Sequence, residues 1–180
     1  MVPSRICRVG RNWDSKEWIG NERRAFFRAF QDGKTLHLFV DVKDDSPTGS
    51  PALEPWEQDC VELFFDAAPD GSVTKYDGNV GRLFIMPRLA EDKMLKAWPG
   101  DLKLSVRDVA VKVVQTADGY TAEIAIPLAS LLLNGMLEGR RLGFDIQIDD
   151  MKDKKRNMFF WSSQGTAFSD RSAFGVLVFE

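Results

Sequence analysis

Leu36, Leu38, Val40 and Val42 alternate with His37, Phe39 and Asp41, and no other kind of pattern in this chain recurs as often as that two-residue period. Successive side chains of a β-strand point to opposite faces, so the alternation reads as a half-buried strand. Asp32-Gly33 just before it is a strong turn signal, and Arg24 to Gln31 supplies the other arm of a hairpin. The pattern returns along the chain. Arg5 to Val9, Cys60 to Phe65, Val80 to Met86 (carrying Arg82), Met158 to Trp161 and Phe174 to Phe179 all read as short strands. Leu104 to Gln115 reads as a long strand, bent if continuous. Asp118-Gly119 turns it back into Tyr120 to Ile126, which Pro127 closes. Phe144, Ile146 and Ile148 alternate with Asp145 and Gln147 in a strand from Leu142 to Ile148.

The intervening segments read as loops: Asn12 to Asn21, Asp44 to Pro55, Ala67 to Thr74, Asp149 to Lys155 and Gln164 to Ala173. Leu128 to Leu133 is the one plausible helical turn, with Gly139 as a breaker. Glu91 to Asp101 is ambiguous and ends at Pro99-Gly100. About ten short strands punctuated by Gly and Pro argue an all-β antiparallel β-sandwich, immunoglobulin-like or jelly-roll in type. With no repeat and no linker, one domain over residues 1–180 is the economical organisation.

Composition removes several function classes. A formal net charge of −3 offers no basic footprint for nucleic acid. No apolar run is long enough to span a membrane as a helix, and Met1 to Gly10 holds no apolar core of a signal peptide. One His and two Cys are too few and too scattered for a zinc site. Cys7 and Cys60 are compatible with one bridge or with two buried thiols. No Gly-rich phosphate loop, nucleophile elbow or histidine-based triad is present. Glu57 with Asp59, Asp59 with Glu62 and Asp149 with Asp150 are sequence-adjacent carboxylates, but glycoside hydrolysis needs set separations across a sugar that adjacency does not supply.

One segment, Pro55-Trp-Glu-Gln-Asp-Cys-Val-Glu-Leu-Phe-Phe-Asp66, concentrates the candidate chemistry. Alternation places Val61, Leu63 and Phe65 on a core face and Cys60, Glu62 and Phe64 on the other. A carboxylate between two buried-type residues needs a cationic partner, a metal ion or a polar groove. Pro55 presents Trp56 on a defined loop, where it serves either as a cap on the core or as a stacking platform for a sugar ring. Trp161 and Phe168 also fall near strand ends. Arg82, Gln58 and Asn79 are candidates for holding hydroxyls. Calcium takes oxygen ligands, and three segments are rich in them: Asp41 to Ser46, Glu57 to Glu62 and Asp145 to Asp153.

The Pro55–Phe64 segment resembles the most characteristic stretch of the family 9 carbohydrate-binding modules, within the DOMON-like superfamily. Asp32-Gly-Lys-Thr-Leu-His-Leu-Phe-Val-Asp-Val-Lys-Asp-Asp, Gly119-Tyr-Thr-Ala-Glu-Ile-Ala-Ile-Pro, Leu142-Gly-Phe-Asp-Ile-Gln-Ile-Asp-Asp, Trp161-Ser and Phe174-Gly agree in order, so the match spans most of residues 13–180. The resemblance implies a β-sandwich that binds an oligo- or polysaccharide without cleaving it, with calcium as a structural ion. It implies an extracellular or periplasmic setting and leaves open a past fusion to a glycoside hydrolase. By the same resemblance Trp56 and Phe168 flank a sugar ring, and Arg82, Gln58 and Asn79 contact its hydroxyls. Phe168 replaces a family tryptophan. Arg82 is the nearest match to a family arginine, two positions away from where Phe84 stands. Asp59 and Glu62 order the loop or hold calcium. The same superfamily includes haem-binding electron-transfer domains, for which Met86, Met94 and His37 are the available ligands. A structural or protein-interaction sandwich is the remaining class.

Overall fold

The computed structural model describes residues 5–98, 102 and 104–180, so the Pro99-Gly100 turn signal and the first four residues lie outside it. In chain order the strands are β1 (Ile6–Val9), β2 (Glu17–Ile19), β3 (Ala25–Gln31), β4 (Thr35–Lys43), β5 (Cys60–Asp66), β6 (Val80–Ile85), β7 (Leu95–Ala97), β8 (Ala110–Thr116), β9 (Gly119–Pro127), β10 (Arg141–Lys152), β11 (Lys155–Phe160) and β12 (Gly175–Phe179). Among the described residues, three short 3-10 turns, Pro55–Glu57, Leu128–Leu131 and Arg171–Ala173, complete the regular structure.

The strands form two sheets. One runs β1-β12-β10-β5-β6-β7, with β11 also pairing to β10, and the other runs β2-β3-β4-β9-β8. Inner faces meet in one core, where Leu63, Phe65, Phe144 and Ile146 face Phe27, Leu38, Val40 and Ile124. Each fully buried side chain of this size contributes about 1.5–3 kcal/mol. The alternation of β4 is realised as read: Leu36, Leu38, Val40 and Val42 are buried and the residues between them are half-buried.

Several expectations change. The pairing is not wholly antiparallel, because β1 lies parallel to β12. The long strand from Leu104 is shortened to Ala110–Thr116; Leu104 packs in the core while the turn at residues 106–108 interrupts the ladder. The segment from Asp149 to Lys155 is mostly strand, since β10 continues to Lys152 and turns through Asp153 and Lys154 into β11. Both turn residues have positive φ (52° and 63°), the geometry of a two-residue hairpin that fits the strand twist. Gly119 opens β9 with its Cα facing the carbonyl of Val42; a Cβ there would sit 1.9 Å from that oxygen, so only glycine fits. Cys7 and Cys60 are both free and buried, Cys7 in the main core and Cys60 on the opposite face of its sheet, so they form no bridge with each other.

Candidate functional site

β5 is buried on both faces along its whole length. Val61, Leu63 and Phe65 enter the main core. On the outer face Cys60 joins Phe84 and Met86 in one small apolar cluster, and Phe64 joins Val80, Ala167 and Phe174 in another. Glu62 lies between the two clusters, in register with Gln147 on β10 and Phe84 on β6. A pocket of about 270 Å³ opens here, lined by Trp56, Glu62, Arg82, Phe84, Trp98, Gln147, Arg156 and Phe168.

Loops bring the aromatic walls to this face. Pro55 opens the turn that carries Trp56, and Glu57 Oε2 accepts from the Glu54 N–H at 3.0 Å, closing a reciprocal cap. Glu54 also reaches Lys96 on β7 at 2.8 Å. Gln58 is buried beneath: its Oε1 accepts from Ser50 N–H at 2.9 Å and its Nε2 donates to the Leu53 carbonyl at 3.2 Å. Trp56 then meets Trp98 at 5.4 Å and 58°, and Phe84 at 6.1 Å and 62°. On the far side Asp145 accepts from the Ser162 and Ser163 N–H groups at 2.9 and 2.8 Å, fixing the start of the loop that carries Phe168. Tyr76 Oη donates to the Ala167 carbonyl next to it. Phe168 itself is 60% exposed, so it stands at the lip of the pocket.

The pocket floor is polar. Arg156 Nη2 donates to Glu62 Oε1 at 3.1 Å and to Asp149 Oδ2 at 2.8 Å. Burial, a hydrogen bond with Asp149 and the Asp149 charge push the Glu62 carboxyl up to about 9, with Arg156 and Arg82 opposing. One cation thus bridges two buried carboxyl groups. Gln147 Nε2 donates to Asp149 Oδ1 at 3.0 Å, which fixes the amide's orientation because a carboxylate oxygen can only accept. Gln147 is 2% exposed, and its Oε1 has no hydrogen-bond partner among the described residues. A buried acceptor without a donor costs about 1–3 kcal/mol, which a ligand hydroxyl at this position would offset. The Arg82 guanidinium lies 4.8 Å from the Trp98 ring and 5.7 Å from that of Tyr76, held between two aromatic faces.

The sequence-read residues thus separate. Trp56, Arg82 and Phe168 line one pocket. Gln58 does not; its amide is spent on backbone groups of the Trp56 loop. Asn79 does not either; it is half-buried in the turn before β6, where its carbonyl accepts from Ala67 N–H and its own N–H donates to Asp77. Trp161 is buried in the main core. Trp98, Gln147 and Arg156 were missed. Only Gln147 carried a signal, since strand alternation puts it on the same face as Asp145 and Asp149. His37 lies on β4 of the other sheet, stacked on Phe30, while Met86 is buried beside Phe84, so these two candidate haem ligands share no face.

Asp59 and Glu62 also part company. Asp59 lies with Asp44 and Asp150, all buried, their nearest oxygens within 4.8 Å of one another. Each of the three sits two residues beyond a core residue of the same strand face: Val42 before Asp44, Val61 after Asp59, Ile148 before Asp150. The core alternation is thus continued by carboxylates at one end of the sandwich. Asp59 accepts from the N–H groups of Met151 and Thr48, Asp44 from that of Ser46, and Asp150 pairs with Arg24 at 3.1 Å. Burial raises the Asp44 and Asp59 carboxyls, and each is raised further by charge within the trio. An all-oxygen donor set with one arginine for three carboxylates suits a hard divalent cation.

A model of the family described as "Carbohydrate family 9 binding domain-like" matches residues 6–180. The exoglucanase XynX of Acetivibrio thermocellus is 31% identical over 150 residues, covering 82% of this chain and 13% of that protein. The endo-1,4-beta-xylanase A of Thermoanaerobacterium saccharolyticum is 30% identical over 166 residues, covering 89% and 13%. The chain therefore spans about an eighth of the length of these curated relatives. Among solved structures, a family 9 carbohydrate-binding module from Caldicellulosiruptor kristjanssonii superposes with a TM-score of 0.76 at 17% identity, over 98% of this chain and 94% of that one in its complex with cellotriose, and over 98% and 96% in its complex with glucose. At that identity the superposition shows a shared fold.

Proposed function

Since the chain belongs to the carbohydrate family 9 binding domain-like family, we propose that it binds a glycan, without cleaving it, in the pocket between Trp56, Trp98 and Phe168. The observation that carries this reading is the unpaired Gln147 Oε1 at the floor of an aromatic-walled pocket. A sugar ring offers apolar C–H faces to the rings and hydroxyls to the floor. Arg82 and Arg156 supply donors and Gln147 an acceptor. Relatives that act on or bind glucan and xylan support a β-linked polysaccharide or its oligosaccharides as the ligand.

A binding role rather than a catalytic one is supported by the carboxylate arrangement. Glu62 and Asp149 are both bound by Arg156, so they are locked together instead of flanking a scissile bond. Association with a glycoside hydrolase, in one chain or formerly so, and an extracellular or periplasmic setting are supported by relatives named as an exoglucanase and an endo-1,4-beta-xylanase. Calcium at Asp44, Asp59 and Asp150 would have a structural role: these residues tie the ends of β4 and β5 to β10.

Isothermal titration with cellotriose and xylotriose tests the reading. Wild type is expected to bind at least one of them with the modest affinity of an open groove. Trp56→Ala should weaken binding by about tenfold or more, the size of a lost stacking contact. Binding that survives Trp56→Ala undiminished would overturn it.

A further inference from the structure

The outer face of the five-stranded sheet, on the other side of the molecule from the pocket, carries aromatic rings that the sugar pocket does not use. Trp13 packs on Phe30 at 4.4 Å and on Phe39 at 6.4 Å, and Phe30 stacks face to face on His37 at 4.3 Å. Phe39 continues to Phe26 and Trp18. Lys16 covers that second end, 4.0 Å above the Phe26 ring. The Trp13 end is open, and Trp13 is 39% exposed.

That end borders a hollow of about 230 Å³, close in size to the sugar pocket. Its shape follows from the register. His37, Ala125 and Ala110 lie side by side across β4, β9 and β8, and so do Phe39, Glu123 and Lys112 in the next row. The two alanines of the first row, on β9 and on the edge strand β8, leave the floor low. Trp13 and His37 form one wall, and Lys112 with Glu123 the other. The Trp13 wall is fixed by its backbone: Arg28 Nη1 donates to the Trp13 carbonyl at 2.7 Å, and Ser15 Oγ exchanges hydrogen bonds with the Ala29 carbonyl and N–H at 3.1 and 3.0 Å. A large indole is thus displayed to solvent on an anchored segment, over an apolar floor, opposite a wall whose two charges cancel.

We propose that this hollow is a second glycan-binding site, so that the chain engages polysaccharide from both outer faces of the sandwich. Charge complementarity selects the ligand class. A wall of one lysine and one glutamate, with His37 hydrogen-bonded to Asp32 at 3.1 Å, favours neither an anionic nor a cationic partner. A neutral polyhydroxylated ring satisfies the lysine, the glutamate and the indole together. Two sites facing opposite directions cannot grip one short oligosaccharide at once. They can hold neighbouring chains of an insoluble polymer, where the second contact is intramolecular and adds avidity.

The test follows the indole N–H resonances of Trp13 and Trp56 by NMR during titration with cellotriose and then xylotriose, in wild type and in Ala110→Glu, which fills the hollow from an exposed position without touching Trp13 or the sugar pocket. Shifts at both indoles in wild type, with the Trp13 shift lost and the Trp56 shift kept in Ala110→Glu, are expected. Depletion on insoluble cellulose and xylan gives the second readout: Ala110→Glu should weaken retention by about tenfold, one stacking contact's worth, with trisaccharide affinity at Trp56 unchanged. A Trp56 shift with a silent Trp13 overturns the second site and leaves the sugar pocket standing. Silence at both indoles sinks the two readings together. A Trp13 shift that follows protein concentration rather than sugar, and disappears in Ala110→Glu, overturns the proposal in favour of self-association through this face.

Discussion

At the level of single residues, the pocket depends on pairs in which one side chain prepares another. The Arg82 guanidinium sits between the Trp98 and Tyr76 rings, 4.8 and 5.7 Å from their centroids. Trp98→Ala should therefore act twice, removing a wall and releasing Arg82. Titration calorimetry should show sugar affinity falling by about tenfold. Because the indole is 36% exposed, a chemical melt should move by no more than about 1 kcal/mol. Glu62 gives a second prediction. Its carboxyl is raised to about 9 in the fold, against an ordinary value of 4.5, so between those limits the folded state binds more protons than the unfolded. Stability from this group is greatest below pH 4.5 and is lost as pH rises toward 9. Glu62→Gln, which cannot ionise, should flatten that slope when urea melts of the two proteins are compared across the range; equal slopes would show that Glu62 is ionised in the fold. The carboxylate between two buried-type residues was legible from alternation in Cys60-Val-Glu-Leu-Phe. Its partner Arg156 was not, because it arrives from a strand 94 positions further on. Gln58 misled for a related reason: an amide beside an exposed-looking tryptophan reads as a ligand contact until the loop's unpaired backbone groups are counted.

At the level of elements, the loop between β4 and β5 is secured at both ends, by Gln58 under the Trp56 turn and by Asp59 with Asp44 and Asp150 at one end of the core. The three oxygen-rich segments marked in the sequence each send one carboxylate to that trio. Spacing could not show it, because the meeting depends on β5 and β10 pairing in the register that sets Cys60 opposite Asp149. Without a cation the trio titrates against the fold. Asp44 and Asp59 are raised above their ordinary value of 3.8, so stability should increase as pH falls through the raised values toward 3.8. Calcium, which needs the ionised forms, should reverse the trend. Thermal melts with calcium and with EDTA should differ most at neutral pH and converge near about pH 4, and Asp59→Asn should shrink the gap. A gap that persists undiminished in Asp59→Asn would locate any ion elsewhere. The run from Asp149 to Lys155 shows why an element's length escaped the sequence. Its charges read as a solvated loop, yet Asp149 is neutralised by Arg156 from the facing strand and Asp150 by Arg24 from the other side of the sandwich. Strand length there is set by cations on neighbouring elements, 7 and 126 positions away, not by local propensity.

For the whole molecule, the question is what joins the two sheets. Trp161 answers most of it. It leaves β11 of the larger sheet, enters the core against Phe144 at 5.9 Å, and meets Phe27 of the smaller sheet edge-on at 5.3 Å and 90°. Its Nε1 donates to Glu17 Oε2 on β2 at 3.1 Å, so one side chain spans both layers. β12, which lies between β1 and β10, is shaped around it: a Cβ on Gly175 would fall 2.2 Å from the indole. Trp161 and Trp56 looked alike in the sequence, each a tryptophan near a loop at a strand end. The structure separates them by what closes over the ring. Trp161 is 2% exposed and surrounded by core, whereas Trp56 faces an open pocket. The two should therefore fail differently. Trp161→Ala leaves a cavity between the sheets and an unpaired Glu17, and should cost about 3–5 kcal/mol by urea denaturation. Sugar affinity of the fraction that stays folded should be nearly unchanged. Trp56→Ala should cost far less stability and most of the affinity. If both substitutions cost equal stability, Trp56 belongs to the core and the pocket beside it is a packing flaw; if Trp161→Ala alone abolishes binding in protein shown to be folded, the sheets transmit strain to the pocket and the layers are not independent.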